Sequence, residues 1–315
     1  MVASAVSIAS RANTTANSMP SVTLDYSTIA ATAGSESIGY YKYQNICYAA
    51  VPTGDLRFAK PQWPPAETIV NNGTLALANV DCATSEDCLY LDVWAPANSA
   101  NKSLPVVVWT HGGRFIFGSK TAVTPEALFA LSKEFIFVAY NYRLGLTGLA
   151  NGPTLNHEGD YASESIRLAD ILQSLDLTAH NLALTAALKN QTWNAMVALD
   201  NATHGTDQNY YWYSNFTLIE TNSTTATGTT AAGAGIVTTA DIDYDAALKM
   251  QKYLVSFILK GDPNTLWPED KLYWPIHGGN SSSVGRELVF NNTIYIQDDS
   301  LANNRSLFWN KALWY

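Results

Sequence analysis

Pro105 to Ser119, PVVVWTHGGRFIFGS, constrains the fold of this chain more than any other stretch. Val106, Val107, Val108 and Trp109 make an uninterrupted apolar run with β-branched content, which predicts a fully buried strand. The run stops at Thr110 and gives way to His111-Gly112-Gly113-Arg114-Phe115. Two glycines directly after a buried strand let the backbone turn sharply and leave amide N–H groups unshielded. Amides presented in this way can hold a developing oxyanion, so Gly112 and Gly113 are candidate binding groups. Such a loop does chemistry only beside a nucleophile, which the rest of the chain has to supply.

Strand, glycine loop, helix, strand is the order that follows. Thr124-Pro125-Glu126 is a helix start, with an N-cap, a proline at the first position and an early acid, and the helix is expected to run to about Lys133. Phe135 to Tyr142, FIFVAYNY, reads as a second buried strand, completing a parallel βαβ pattern. Upstream the chain is β-rich, with strand candidates at Val22–Tyr26, Ser37–Tyr43 and Leu89–Trp94. Downstream, Ala162–Leu188 has a helical pattern and Thr192–Leu199 reads as a strand. Asp241–Leu259 is a strong amphipathic helix, with Gly261 placed to end it. Thr221–Gly235, rich in Thr, Ala and Gly, reads as a flexible surface loop.

Composition limits the partners. The chain has 315 residues, 47% of them apolar, enough for one substantial core or two small ones. Charged residues make up 14%, the net charge is −9 and the pI is about 4.9, with no basic cluster. Nucleic acid and anionic membrane surfaces are therefore poor partners. No window approaches the roughly 18 consecutive apolar residues of a membrane-spanning helix. No cysteine pair has metal-ligand spacing and the five histidines are scattered, so no metal or cofactor is implied.

Asn-X-Ser/Thr occurs ten times, at Asn13, Asn72, Asn101, Asn190, Asn201, Asn215, Asn222, Asn280, Asn291 and Asn304. Chance would give roughly four at these Asn and Ser/Thr frequencies, and the excess favours passage through a secretory pathway. Met1 to Ser10, MVASAVSIAS, is consistent with a shortened signal peptide or with a disordered tail. Cys82 and Cys88 enclose a short loop and are the expected disulfide in an oxidising compartment, while Cys47 reads as a buried free thiol.

Ser85 to Trp94, SEDCLYLDVW, resembles the signature of type-B carboxylesterases and lipases, the cholinesterase-like branch of the α/β-hydrolases. DLRFAKP at 55–61, the VVVWTHGG loop, NYRLG at Asn141–Gly145 and GLANGPTL at Gly148–Leu155 follow in that family's order. The resemblance implies a secreted, fungal-type esterase that cleaves a small-molecule ester with a serine nucleophile, a histidine base, an acid and an oxyanion hole. It identifies the His-Gly-Gly loop as the oxyanion loop, Gly112, Gly113 and Arg114, with Arg114 standing where the family has a third small residue and still offering its N–H. It carries His204 over as the base and places a buried salt bridge between Arg57 and Glu86. It also gives Arg143 an Asp partner in a segment this chain lacks.

The nucleophile is missing. No Gly-x-Ser-x-Gly turn occurs anywhere in the chain. Ser163 and Ser165 have neither flanking glycines nor a preceding strand, and read as solvated helix-start residues. The fold class is therefore α/β, an incomplete α/β-hydrolase with a β-rich N-terminal part and without its central nucleophile and acid strands. Residues 1–19 are expected as signal remnant or tail and 20–315 as one truncated domain, with the family match breaking near residue 160. By family resemblance the oxyanion strand sits mid-sheet. Losing its neighbours is expected to leave an open apolar edge at Val106–Trp109, or to draw the Thr192–Leu199 strand there. A noncatalytic binding module and a nonfunctional remnant are the alternatives to a truncated esterase. His277-Gly278-Gly279 repeats the loop's letters without a preceding strand and reads as a surface turn. His157 and His180 read as structural or solvent-facing, and Tyr210–Tyr213 as core or pocket wall.

Overall fold

The computed structural model describes residues 19–77, 79–149, 177–200, 205–214, 242–278 and 285–299. The chain divides into two compact units, 1–164 with 214–233 and 165–213 with 234–315.

In the first unit, β1 (Ser21–Thr23), β2 (Thr28–Ala30) and β5 (Val70–Asn71) make a small sheet in the order β1-β2-β5. A five-stranded sheet carries the rest. It contains β3 (Ala33–Ser35), β4 (Tyr40–Cys47), β6 (Tyr90–Pro96), β7 (Val106–Thr110) and β8 (Ile136–Tyr140), in the order β3-β4-β6-β8-β7. β7 and β8 pair in parallel across the expected βαβ crossover, while the other pairs are antiparallel. The crossover helix α1 is Glu126–Leu131, with Pro125 in the capping position and no side-chain cap, one residue later than its predicted start. Trp94, Phe129, Phe135 and Phe137 are fully buried between sheet and helix, with Tyr40 edge-on to Phe129 at 4.8 Å and Trp94 edge-on to Phe137 at 5.6 Å. Each such side chain contributes roughly 1.5–3 kcal/mol of burial.

Polar groups fasten this apolar sheet from within. Asp92 on β6 is fully buried, and its Oδ1 accepts from Lys120 Nζ at 2.7 Å and from the Asn45 amide at 2.9 Å, with Lys42 Nζ 3.8 Å from Oδ2. Asn45 sits where β4 slips register against β6, at a left-handed φ of 56°. Its own Nδ2 donates to the carbonyls of Gly73 and Ala76, both at 2.8 Å. One asparagine in a bulge thus ties the sheet to the turn that follows β5.

Two expectations for the central strand meet different outcomes. β7 is not fully buried: Val106 is 55% and Val108 60% exposed. The cause is strand order, since among the described residues β7 pairs only with β8 and forms the sheet's edge. The other strand does not fill that place. β9 (Asn194–Val197) lies in the second unit and pairs in parallel with β10 (Arg286–Phe290), which pairs antiparallel with β11 (Tyr295–Asp298).

The short helix α2 (Gly145–Leu149) closes the described part of NYRLG, and α3 (Leu177–Ala187) is the described end of the predicted 162–188 helix. The second unit adds α4 (Thr206–Tyr211) and the long α5 (Tyr244–Lys260). α5 matches its amphipathic prediction. Asp243 caps it through the amides of Asp245 and Ala246, and Gly261 at φ 70° closes it. Ala246, Ala247, Met250 and Tyr253 of α5 pack on Leu199, Tyr210, Trp274, Leu288 and Phe290 to form this unit's core, so Tyr210 is core as predicted. Among the described residues no helix is long and apolar enough to cross a membrane.

Candidate active site

The glycine loop follows β7. Three consecutive residues lie at positive φ: Gly113 at 116°, Arg114 at 54° and Phe115 at 60°. The turn returns tightly, with the amides of Ile116 and Phe117 donating to the Gly113 carbonyl at 3.0 and 3.2 Å. A Cβ on Gly113 would stand 1.8 Å from the Phe117 carbonyl oxygen, so only glycine fits there. Arg114 and Phe115 bear side chains in a region such residues rarely adopt, at a cost of about 1–2 kcal/mol each. The Phe115 carbonyl accepts from the Gly145 amide at 2.7 Å, anchoring the loop to α2.

Among the described residues, the amides of Gly112, Gly113 and Arg114 donate no hydrogen bond to the chain. Gly112 and Arg114 are exposed and Gly113 is partly so. Three consecutive N–H groups without an internal acceptor, held by a strained turn, are left available to an acceptor from outside the chain.

His111 supports the loop from beneath. Its ring is buried and stacks on Tyr142, with centroids 4.3 Å apart and planes 15° from parallel. Nδ1–H donates to the Gly112 carbonyl at 2.8 Å, and the Tyr142 hydroxyl donates to the His111 carbonyl at 2.7 Å. Burial lowers the imidazole pKa, so the ring is neutral at neutral pH, and Nε2 is buried without a hydrogen-bond partner. The sequence marked His111 only as a letter of the loop motif. Its positioning role depends on Tyr142, whose aromatic two places past β8 was the available signal.

Arg57 and Glu86 form the expected salt bridge, bidentate from Nε and from Nη2, the latter at 2.8 Å. It is not buried, since both side chains remain more than a third exposed. The arginine lowers the Glu86 pKa, chiefly through the hydrogen bond and then through its charge. Arg143, expected to have lost a carboxylate partner, instead donates to the carbonyls of Arg57 and Ala59 at 2.7 and 3.2 Å. Carbonyl dipoles replace the counter-ion, and burial lowers its pKa. Cys82 and Cys88 form the disulfide, with Cα atoms 5.2 Å apart. Cys47 is free but only partly buried, a correction to the expected buried thiol, because it ends β4 where the sheet runs out.

His277 overturns its sequence reading. It is buried, not a surface turn, and its Nε2 meets Asp299 Oδ2 at 3.1 Å. The partner lies 22 residues downstream at the end of β11, outside any local pattern. His204, Ser163, Ser165 and His157 lie outside the described residues, as do Asn13, Asn201, Asn215, Asn222, Asn280 and Asn304 and the 221–235 stretch. His180 lies on α3. Of the described sequons, Asn72 and Asn101 are exposed, while Asn190 and Asn291 are partly so.

The order β7, glycine loop, α1, parallel β8 is a βαβ unit of an α/β sheet, and the class of protein whose fold the chain shares is the α/β-hydrolases. EstA of Aspergillus niger has the same fold: it superimposes over 95% of this chain and 98% of its own, with a TM-score of 0.68 and 13% identity. A carboxylesterase of Geobacillus stearothermophilus superimposes over 94% and 100%, with a TM-score of 0.61 and 15% identity. Residues 19–184 match the carboxylesterase family, and the chain belongs to it. The fumonisin B1 esterase of Sphingopyxis macrogoltabida is 31% identical over 153 residues, 44% of this chain and 28% of that protein. The juvenile hormone esterase of Tribolium castaneum is 32% identical over 158 residues, 46% of this chain and 26% of that protein. The matched part thus spans little more than a quarter of the length of either relative.

Proposed function

We propose that this chain is a secreted carboxylesterase-family protein that can bind the oxygen of a small-molecule ester but cannot form an acyl-enzyme. The observation that carries the reading is the absence of Gly-x-Ser-x-Gly from all 315 residues. The unpaired amides of Gly112, Gly113 and Arg114 support the binding half. His204 is the base by family position, but a base without its serine has no proton to take. A site reduced to its oxyanion donors accelerates hydrolysis by roughly 10³–10⁴ over water, far below an intact triad. The ten sequons and the Cys82–Cys88 disulfide support a route through an oxidising secretory compartment.

The test is hydrolysis of a p-nitrophenyl ester by the purified chain, with a fluorophosphonate probe in parallel. The expected result is no burst of p-nitrophenolate, no covalently labelled serine, and a slow rate unchanged in His204→Ala. A burst, a labelled serine, or turnover abolished by His204→Ala would overturn the reading.

A further inference from the structure

We propose that Asn72 carries an N-linked glycan and that this glycan covers exposed apolar side chains near it in the chain, Ile69, Val70, Leu75 and Leu77. The inference rests on the secretory reading above and goes further, selecting one sequon and giving its sugar a structural task.

Asn71 and Asn72 are adjacent and have opposite fates. Asn71 on β5 is buried; its Nδ2 donates to the Asn45 carbonyl at 2.9 Å and its Oδ1 accepts from the Gly73 amide at 2.9 Å. Alternation along the extended chain then turns Asn72 outward, where it is exposed. Asn72 Oδ1 accepts from the Thr74 hydroxyl at 2.6 Å and, more weakly, from the Thr74 amide at 3.4 Å. Those bonds occupy the oxygen and leave Nδ2, the atom that takes the sugar, with no partner among the described residues. Asn72 is the described sequon in which the Ser/Thr hydroxyl meets its own asparagine. At the Asn190 sequon the Thr192 hydroxyl is turned away to Asn194 and Thr185.

The turn is rigid. Gly73 has φ 86°, and a Cβ there would lie 2.5 Å from Thr32 Cγ2. Asn45 holds the Gly73 and Ala76 carbonyls from inside. Pinned in this way, the segment cannot roll its apolar side chains inward: Ile69 is 66% and Leu77 75% exposed, with Val70 and Leu75 also exposed. Four large apolar groups within five residues of one sequon are an unusual surface for an acidic chain with few charges. The C–H faces of pyranose rings attached at Asn72 offer apolar cover to these side chains, while their hydroxyls keep the outer side wet.

The modification is a glycosyl transfer without redox change. Asn72 Nδ2 forms a bond to the anomeric carbon of an oligosaccharide carried on a lipid diphosphate. The anomeric C–O bond breaks, the lipid diphosphate leaves with the electron pair, and the amide proton passes to a base of the transferase.

The experiment is secretion of the full chain from a eukaryotic host, followed by glycopeptide mapping. Dye binding to exposed apolar surface is then measured before and after endoglycosidase trimming of the folded protein, and in Asn72→Gln and Asn101→Gln. The expected result is an occupied Asn72, with dye binding at least about twofold higher after trimming or in Asn72→Gln, but not in Asn101→Gln. Other sequons occupied with Asn72 bare would overturn this proposal and leave the secretory reading standing. No glycan at any sequon would overturn both. An occupied Asn72 whose trimming leaves dye binding unchanged would overturn the covering role.

Discussion

At the residue scale, the loop after β7 turns on two neighbours in unlike circumstances. Gly113 has no room for a Cβ, whereas Arg114 carries one at φ 54° under strain. Gly113→Ala is expected to cost more than about 2 kcal/mol, because backbone must move to clear the Phe117 carbonyl. Arg114→Gly is expected to change stability by less than about 1 kcal/mol, since relief of strain offsets the added freedom of the unfolded chain. Urea midpoints of the two variants check the contrast. The glycines were legible from sequence because a turn directly after an apolar strand leaves few alternatives. His277 was not, because what buries it is a contact with Asp299. Arg57 and Glu86 were legible as a pair only through family resemblance, and their exposure depends on how little chain covers them.

At the element scale, the β10–β11 hairpin carries a titratable group into the second unit's core. Glu287 is buried, and burial, followed by the nearby Asp299 carboxylate, raises its pKa above the usual carboxylate range. The side-chain amide of Gln297, donating at 2.8 Å, and His277 pull it partly back. A carboxyl group whose folded pKa is raised favours the folded state while protonated. That contribution is complete below the unfolded pKa and is lost as pH rises through the folded one. Glu287→Gln keeps the neutral form, so its stability relative to the parent is expected to grow from pH 4 to pH 7. Urea midpoints measured across that interval check this, and a constant difference would refute it. Elements themselves were largely readable: α5 came with its amphipathic pattern and its stop at Gly261, though not with the cap at Asp243, and β8 fell within its predicted run. The burial of β7 was misread because VVVW describes a strand suited to a sheet interior, while its place in the sheet is decided by strands distant in sequence.

At the scale of the whole molecule, the edge that β7 forms among the described residues meets the acidic balance of the chain. The Ile136 amide donates to the Pro105 carbonyl, so alternation points the N–H and C=O groups of Val106, Val108 and Thr110 away from β8. An uncharged edge of this kind invites pairing with another chain, and a net charge of −9 opposes it. Self-association is expected to rise as pH falls toward the pI of about 4.9 and to drop in Val108→Lys, with little change in the urea midpoint. Light scattering at pH 7.5 and pH 5.5 reads both effects. The second unit has a different burden, one of time. β10 meets β11 across a turn of four residues but meets β9 across about ninety. The hairpin is therefore ready early, and β9 docks only after a long search. During that interval Leu288 and Phe290, fully buried in the finished core, lack the strand they will lie beside. Of the described strand pairs this one spans the most chain, so its closure is expected to be the slowest of them, and a chaperone would have the most time to act there.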